Sequence, residues 1–173
     1  MLKVAVLMGS GSDADRMAPA AATLKGLGVP FEVRVISAHR TPDAAREYAA
    51  TAHRRGIGVI IAGAGMAAHL AGALAAQTTI PVIGVPLSAG ALNGVDALYS
   101  TLMMPSGFPV ATVAIDGSAN AALLAAQILA LNCPELAAKI DDYRLSLARK
   151  AETADIEVQK TYSGSNTQGG CER

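Results

Sequence analysis

Five apolar runs, each breaking into a short Gly-, Ser- or Pro-containing stretch and then into a segment of helical composition, leave this chain few folds to choose from. The runs fall at residues 4–8, 31–36, 59–62, 81–86 and 110–115. Val4-Ala5-Val6-Leu7-Met8 is apolar without alternation, as a strand covered on both faces of a parallel sheet requires. Between and after the runs the pattern predicts helices over about 14–27, 42–55, 70–78, 93–102, 118–131 and 134–151. Gly26 and Gly28 stop the first, Thr41-Pro42 suits the cap and first position of the second, and Asn132-Cys133-Pro134 parts the last two. Over 173 residues this alternation gives one open parallel α/β sheet with right-handed crossovers. A single unit is expected over residues 1–160, C-terminal helix included. From residue 161 to 173 Ser, Gly, Asn, Thr and Gln dominate and the chain reads as a frayed tail.

A five-stranded doubly wound sheet commonly has the strand order 2-1-3-4-5 and binds ligands beyond the carboxyl ends of its strands, where the order reverses. The loops after runs one, two and three would meet there, and these are the polar ones. In Gly9-Ser10-Gly11-Ser12-Asp13 the glycines let the backbone approach a ligand, Ser10 and Ser12 offer hydroxyls, and the unpartnered N–H groups of the following helix suit a phosphate. The alternative is that Ser12 or Asp13 merely caps that helix. Ser37-Ala38-His39-Arg40 supplies a planar guanidinium fork for an anion and an imidazole. Gly63-Ala64-Gly65-Met66-Ala67-Ala68-His69-Leu70 supplies a small-residue wall and a second imidazole. With Asp13 able to accept from ribose hydroxyls, the set fits a phosphorylated ribose compound undergoing proton-linked chemistry. Taken singly, each residue also has a purely structural reading. His53, beside Arg54 and Arg55, reads as solvated surface.

Composition removes other classes. Lys+Arg 14 against Asp+Glu 14 argues against a nucleic acid or an anionic membrane as partner, so any anion site must be local. Cys133 and Cys171 are too few for a disulfide framework, and a reducing cytoplasm is expected. Lys3 follows the start directly and Gly9 ends the first apolar run, so no secretory leader is expected, and no stretch is long enough to span a bilayer. There is no Gly-x-x-x-x-Gly-Lys-Ser/Thr loop, no His/Cys/carboxylate cluster of metal spacing, no aromatic pair to sandwich a flavin, and no aspartate ending the third strand as a phospho-acceptor receiver needs. A nucleotide-binding regulatory module without catalysis stays open on these residues. Aromatics at 3% leave the core to Ala, Val, Ile and Leu, and the alanine-rich segment 119–131 packs either inside the subunit or between subunits.

The three loops together resemble the N5-carboxyaminoimidazole ribonucleotide mutase family of bacterial de novo purine biosynthesis. Further matches run through Pro81-Val82-Ile83-Gly84-Val85-Pro86, Leu92-Asn93-Gly94-Val95-Asp96-Ala97-Leu98-Tyr99-Ser100 and Asn120-Ala121-Ala122-Leu123-Leu124-Ala125-Ala126-Gln127-Ile128-Leu129, so that the likeness spans about residues 2–150. The resemblance implies a flavodoxin-like three-layer sandwich with a C-terminal helical extension, no cofactor, and a homo-octamer with active sites at subunit contacts. It implies an isomerase that moves a carboxylate from the exocyclic nitrogen of its phosphoribosyl substrate to C4 of the imidazole. Ser10 and Arg40 would then hold the phosphate and Asp13 the ribose, with Ser12 and Ser37 in support. His39 would transfer the proton, and His69 would line the carboxylate pocket with Gly63, Gly65 and Leu70. The resemblance also predicts glycine at position 66 and proline at 71, where this chain has Met66 and Ala71.

Overall fold

The sheet is laid out around β1 (Lys3–Met8), which contains the apolar run of residues 4–8 and pairs in parallel with β2 (Phe31–Val35) on one side and β3 (Ile57–Gly65) on the other. In this computed structural model, which describes residues 1–163, β4 (Val82–Leu87) and β5 (Ala111–Thr112) complete the all-parallel order β2-β1-β3-β4-β5. Met8 stands opposite both Val35 and Gly63, so the loops leaving β1, β2 and β3 start from nearly one level.

Successive residues of β1 feed two different cores, which is why the run has no polar positions. Val4, Val6 and Met8 pack with Val59 and Ile61 under α1 (Ala14–Leu27), α5 (Ser118–Ala130) and the start of α6 (Pro134–Ser163). Ala5 and Leu7 pack with Ile60 and Ala62 under α2 (Pro42–Ala52) and α3 (Leu70–Ala75). Each fully buried Leu or Ile in these layers contributes roughly 1.5–3 kcal/mol. Ala121, Ala122, Ala125 and Ala126 of α5 are fully buried inside the subunit, so the internal reading of this alanine-rich helix is the one realised. Apolar residues left exposed include Leu131, just past the end of α5, and a group on and around α4 (Val95–Leu102): Leu92, Val95, Tyr99, Leu102 and Met103.

Several boundaries differ from the sequence pattern. β3 continues through Gly63, Ala64 and Gly65, where a loop was expected, because those residues still pair with Val85, Pro86 and Leu87. The glycines there serve close packing: a Cβ on Gly63 would collide with Met17 Sδ. The fifth strand shrinks from six expected residues to two. Pro86, whose carbonyl faces this edge and accepts the Asp116 N–H at 2.9 Å, has no N–H to return, so the ladder stops. α4 begins at Val95 rather than at residue 93, since Asn93 and Gly94 both hold left-handed φ. α6 continues past residue 151 to Ser163, and the tail expected at 161–173 otherwise lies outside the described residues. Gly28, at φ +71°, ends α1 as its position suggests.

Away from the loops, Glu32 on edge strand β2 accepts hydrogen bonds from the Tyr48 hydroxyl at 2.6 Å, Arg55 at 2.9 Å and Lys3 at 3.2 Å. These contacts hold its carboxyl below the usual carboxylate range, the Tyr48 hydroxyl contributing most. The Arg55 guanidinium also stacks 4.1 Å above the Tyr48 ring. His53 is exposed.

Candidate active site

Where β1 ends, the chain first makes a 3₁₀ turn, Gly11–Asp13, before α1 begins. Ser10, in extended backbone, caps that turn: its hydroxyl oxygen accepts from the Ser12 N–H at 3.3 Å and from the Ser12 hydroxyl at 2.8 Å. Ser10 therefore caps the 3₁₀ turn, while Asp13 stands at the N-cap position of α1 without a side-chain capping hydrogen bond, and Ser12 caps neither. The Asp13 side chain, freed from capping, has its carboxylate within 4.0 Å of the Cβ position of Gly9. Burial pushes the Asp13 carboxyl above its ordinary value, opposed by a backbone hydrogen bond from Ser10 and by the nearby Arg16 and Arg40.

After β2 the chain turns at Ser37–Thr41. Thr41 does not cap α2 with its side chain; its hydroxyl accepts from the Ser37 N–H and donates to the Ser37 carbonyl, both at 3.0 Å, and closes the turn instead. Arg40 then reaches across to the first loop, donating to the Gly9 carbonyl at 2.9 Å, with Nε 3.4 Å from Ser37 Oγ. From the third loop His69 comes up to meet His39: Nε2 of His39 and Nδ1 of His69 are 2.7 Å apart, with the rings at 74°. One of these two nitrogens must be unprotonated for the contact to be a hydrogen bond.

The three loops enclose a cleft of about 380 Å³ lined by Ser10, Ser12, Asp13, Ser37, His39, Arg40, Gly65, His69 and Leu70. Gly63 lies one layer below: its carbonyl is occupied by the Gly9 N–H at 3.1 Å, and it does not line the cleft. Of the lining residues outside the expected site set, Met66 stands where the resemblance predicts glycine, and Ala89 lies outside the three loops altogether. Met66 adopts φ +54°, a conformation that favours glycine. Ala89 comes from the loop after β4, and its only sequence hint is the small-residue composition of that loop. Ala71 is buried at the second position of α3, within the first turn that also accommodates proline. A larger hollow of about 830 Å³ at the amino end of β4, beside Pro81 and Phe108, has His53 as the one ionisable group among its lining residues. Among the described residues no group of three or more His, Cys, Asp or Glu could hold a metal ion, and no helix is long and apolar enough to cross a membrane.

A doubly wound parallel sheet whose ionisable residues gather beyond the carboxyl ends of β1, β2 and β3 defines a flavodoxin-like α/β protein with a small-molecule site at its switch point. Residues 3–150 match the family model described as AIR carboxylase. A protein of Pyrococcus abyssi named N5-carboxyaminoimidazole ribonucleotide mutase is 57% identical over 149 residues, 86% of each chain. Proteins of the same name from Synechocystis and Saccharolobus solfataricus are 53% and 55% identical, covering 91% of this chain and 89% and 100% of theirs. The crystal structure of PurE from Treponema denticola superimposes with a TM-score of 0.77 at 31% identity, over 92% of this chain and 97% of that one. The chain belongs to the AIR carboxylase family of enzymes.

Proposed function

We infer that the protein is the isomerase of de novo purine biosynthesis that converts N5-carboxyaminoimidazole ribonucleotide to 4-carboxy-5-aminoimidazole ribonucleotide, working in the cytoplasm without a cofactor. The observation that carries this reading is the meeting of three loops in one cleft, which the contacting His39–His69 pair lines together with Arg40 and the glycine- and alanine-rich third loop. Arg40 and Ser10 bind the phosphate, Asp13 accepts from the ribose hydroxyls, and Ser12 and Ser37 hold the two loops in shape. The imidazole base then lies toward His39, and its carboxylate toward Gly65, His69 and Leu70.

The reaction needs no redox partner, since every electron pair stays within the substrate. The carbamate C–N bond breaks with its electron pair remaining on nitrogen, which takes up a proton, and CO2 is released into the pocket. C4 of the electron-rich ring attacks the carbon of CO2 to form the new C–C bond, and loss of the C4 proton restores aromaticity. One proton is gained and one lost, so a single imidazole, His39, can deliver the first and remove the second. The backbone of the third loop stabilises the carboxylate at both ends of its path.

The subunit works as a homo-octamer with its sites at subunit contacts; the exposed Leu92, Val95, Tyr99, Leu102 and Met103 around α4 form the apolar surface that this assembly would cover. The reading is tested by incubating the enzyme with the carbamate nucleotide in CO2-depleted buffer and following the 4-carboxy product. Product at full rate is expected. Formation only from 5-aminoimidazole ribonucleotide plus bicarbonate would replace the isomerase by a carboxylase.

A further inference from the structure

The first two loops of the cleft are each closed by a hydroxyl of their own. Ser10 caps the turn after β1, and Thr41 bridges the N–H and the carbonyl of Ser37 after β2. The third loop, residues 66–69, reads Met-Ala-Ala-His and has no hydroxyl to do this. It is wound tightly instead. Met66 holds left-handed backbone, the Ala68 N–H donates to the Met66 carbonyl, and the His69 N–H donates to the Ala67 carbonyl, both at 2.9 Å. Turns this short persist where surrounding structure holds them.

The missing hydroxyl is supplied by another element. Ser100 of α4 has its Oγ 2.7 Å from the Asp96 carbonyl, 3.1 Å from the Ala68 N–H and 3.3 Å from the Met66 carbonyl. A hydroxyl has one proton and two lone pairs. The shortest contact takes the proton to Asp96, within α4, and leaves the oxygen free to accept from Ala68. Among the described residues, the hydrogen bonds that reach residues 66–68 from another element are those of Ser100. Ala68 is 1% exposed, so water has no access to replace the serine oxygen. The residue after Ala68 is His69, whose Nδ1 lies 2.7 Å from Nε2 of His39, at the short end of the hydrogen-bond range. Ser100 itself does not line the cleft.

We propose that Ser100 is a positioning residue for the reaction: by anchoring the backbone at Ala68 it sets His69 against His39. The inference rests on the isomerase reading above, in which His39 moves the proton and His69 lines the carboxylate pocket. Ser10, Asp13 and Arg40 stand on the other two loops, so loosening residues 66–69 leaves nucleotide binding in place and degrades the chemical step.

The test measures kcat, KM and melting temperature for the parent and for Ser100→Ala, Ser100→Cys and Ser100→Thr, each also combined with His69→Ala. Alanine suits a helix, so Ser100→Ala is expected to fold. Ser100→Cys, close in size and a weak acceptor, reads the same loss should the alanine variant melt below the assay temperature. Ser100→Ala is expected to lose roughly 10- to 100-fold in kcat with KM within about twofold, the scale on which misplacing a reacting group acts. Ser100→Thr keeps a hydroxyl able to bond the same helix carbonyl and is expected to recover most of the rate. In the His69→Ala background Ser100→Ala is expected to lower kcat no further, because the loop no longer carries an imidazole to misplace. An unchanged kcat in folded Ser100→Ala, an equally low kcat in Ser100→Thr, or the same fold loss with and without His69 overturns the positioning role. A merely structural serine would lower the melting temperature and give that same loss in both backgrounds. A parent enzyme that makes product only when bicarbonate is supplied overturns the isomerase reading itself, a distinct outcome.

Discussion

Replacing Arg40 by alanine tests the phosphate assignment most directly. In the free protein the guanidinium is exposed but already positioned, anchored to the Gly9 carbonyl at 2.9 Å and resting near Ser37 Oγ, so little side-chain entropy remains to be lost when an anion arrives. A charge-assisted hydrogen bond contributes about 1.5–3 kcal/mol, which corresponds to a roughly 10- to 150-fold weaker Kd when it is removed. The anchor to Gly9 is a separate loss of about 0.5–1.5 kcal/mol, felt as a looser first loop. Isothermal titration with the product nucleotide at two salt concentrations separates these contributions, because only the ion pair is screened. Arg40→Lys keeps the charge without the planar fork and should recover part of the affinity. An unchanged Kd in Arg40→Ala would refute the assignment and leave Arg40 as a strap between two loops.

His39→Asn keeps approximate shape but cannot take a proton, so it should bind nucleotide nearly normally while kcat falls by roughly 10²-fold or more. If His39→Asn turns over near the parent rate and His69→Asn does not, the roles of the paired imidazoles are reversed. Gly63→Ala forces a methyl against Met17 Sδ, an overpacking expected to cost about 1–3 kcal/mol in urea unfolding, and an unchanged midpoint would contradict the packing at this position. Because the folded carboxyl of Glu32 titrates below its ordinary 4.5, its contribution to stability is present above that pH and is lost as pH falls through the depressed value. Unfolding curves at successive pH values below 4.5 should therefore show a steeper loss for the parent than for Glu32→Gln, and parallel loss would argue against the Tyr48 and Arg55 contacts as its cause.

The order of the sheet was legible in the sequence because it depends on which runs are buried on both faces, and Val4 to Met8 and Val59 to Ala62 carry that information without help from their neighbours. What failed to show was set by partners distant in sequence. Gly63 and Gly65 read as strand breakers, yet they extend β3, because Met17 and Ala89 approach too closely for any side chain. The last run, residues 110–115, has the β-branched composition of a strand and pairs over only two residues, because its neighbour offers Pro86 where a donor is needed. Residues 152–163 carry no regular apolar stripe to mark them as helix. Isolated side-chain bonds such as Gln159 to Asp155 at 2.8 Å accompany the helix there, and such local pairs leave little trace in a hydrophobic pattern.

The candidate site divides along the same line. Ser10, Asp13, His39, Arg40 and His69 could be picked out because each stands in a loop that the strand order brings to one edge, where doubly wound sheets bind their ligands. Their connections could not be picked out, and the connections decide what the cleft can do. Arg40 ties the second loop to the first through Gly9, and His39 ties it to the third through His69, so the middle segment, Ser37–Thr41, is the hub through which the other two are held. Under the proposed assignment, a phosphate held by the first two loops sets the rest of the substrate against the third.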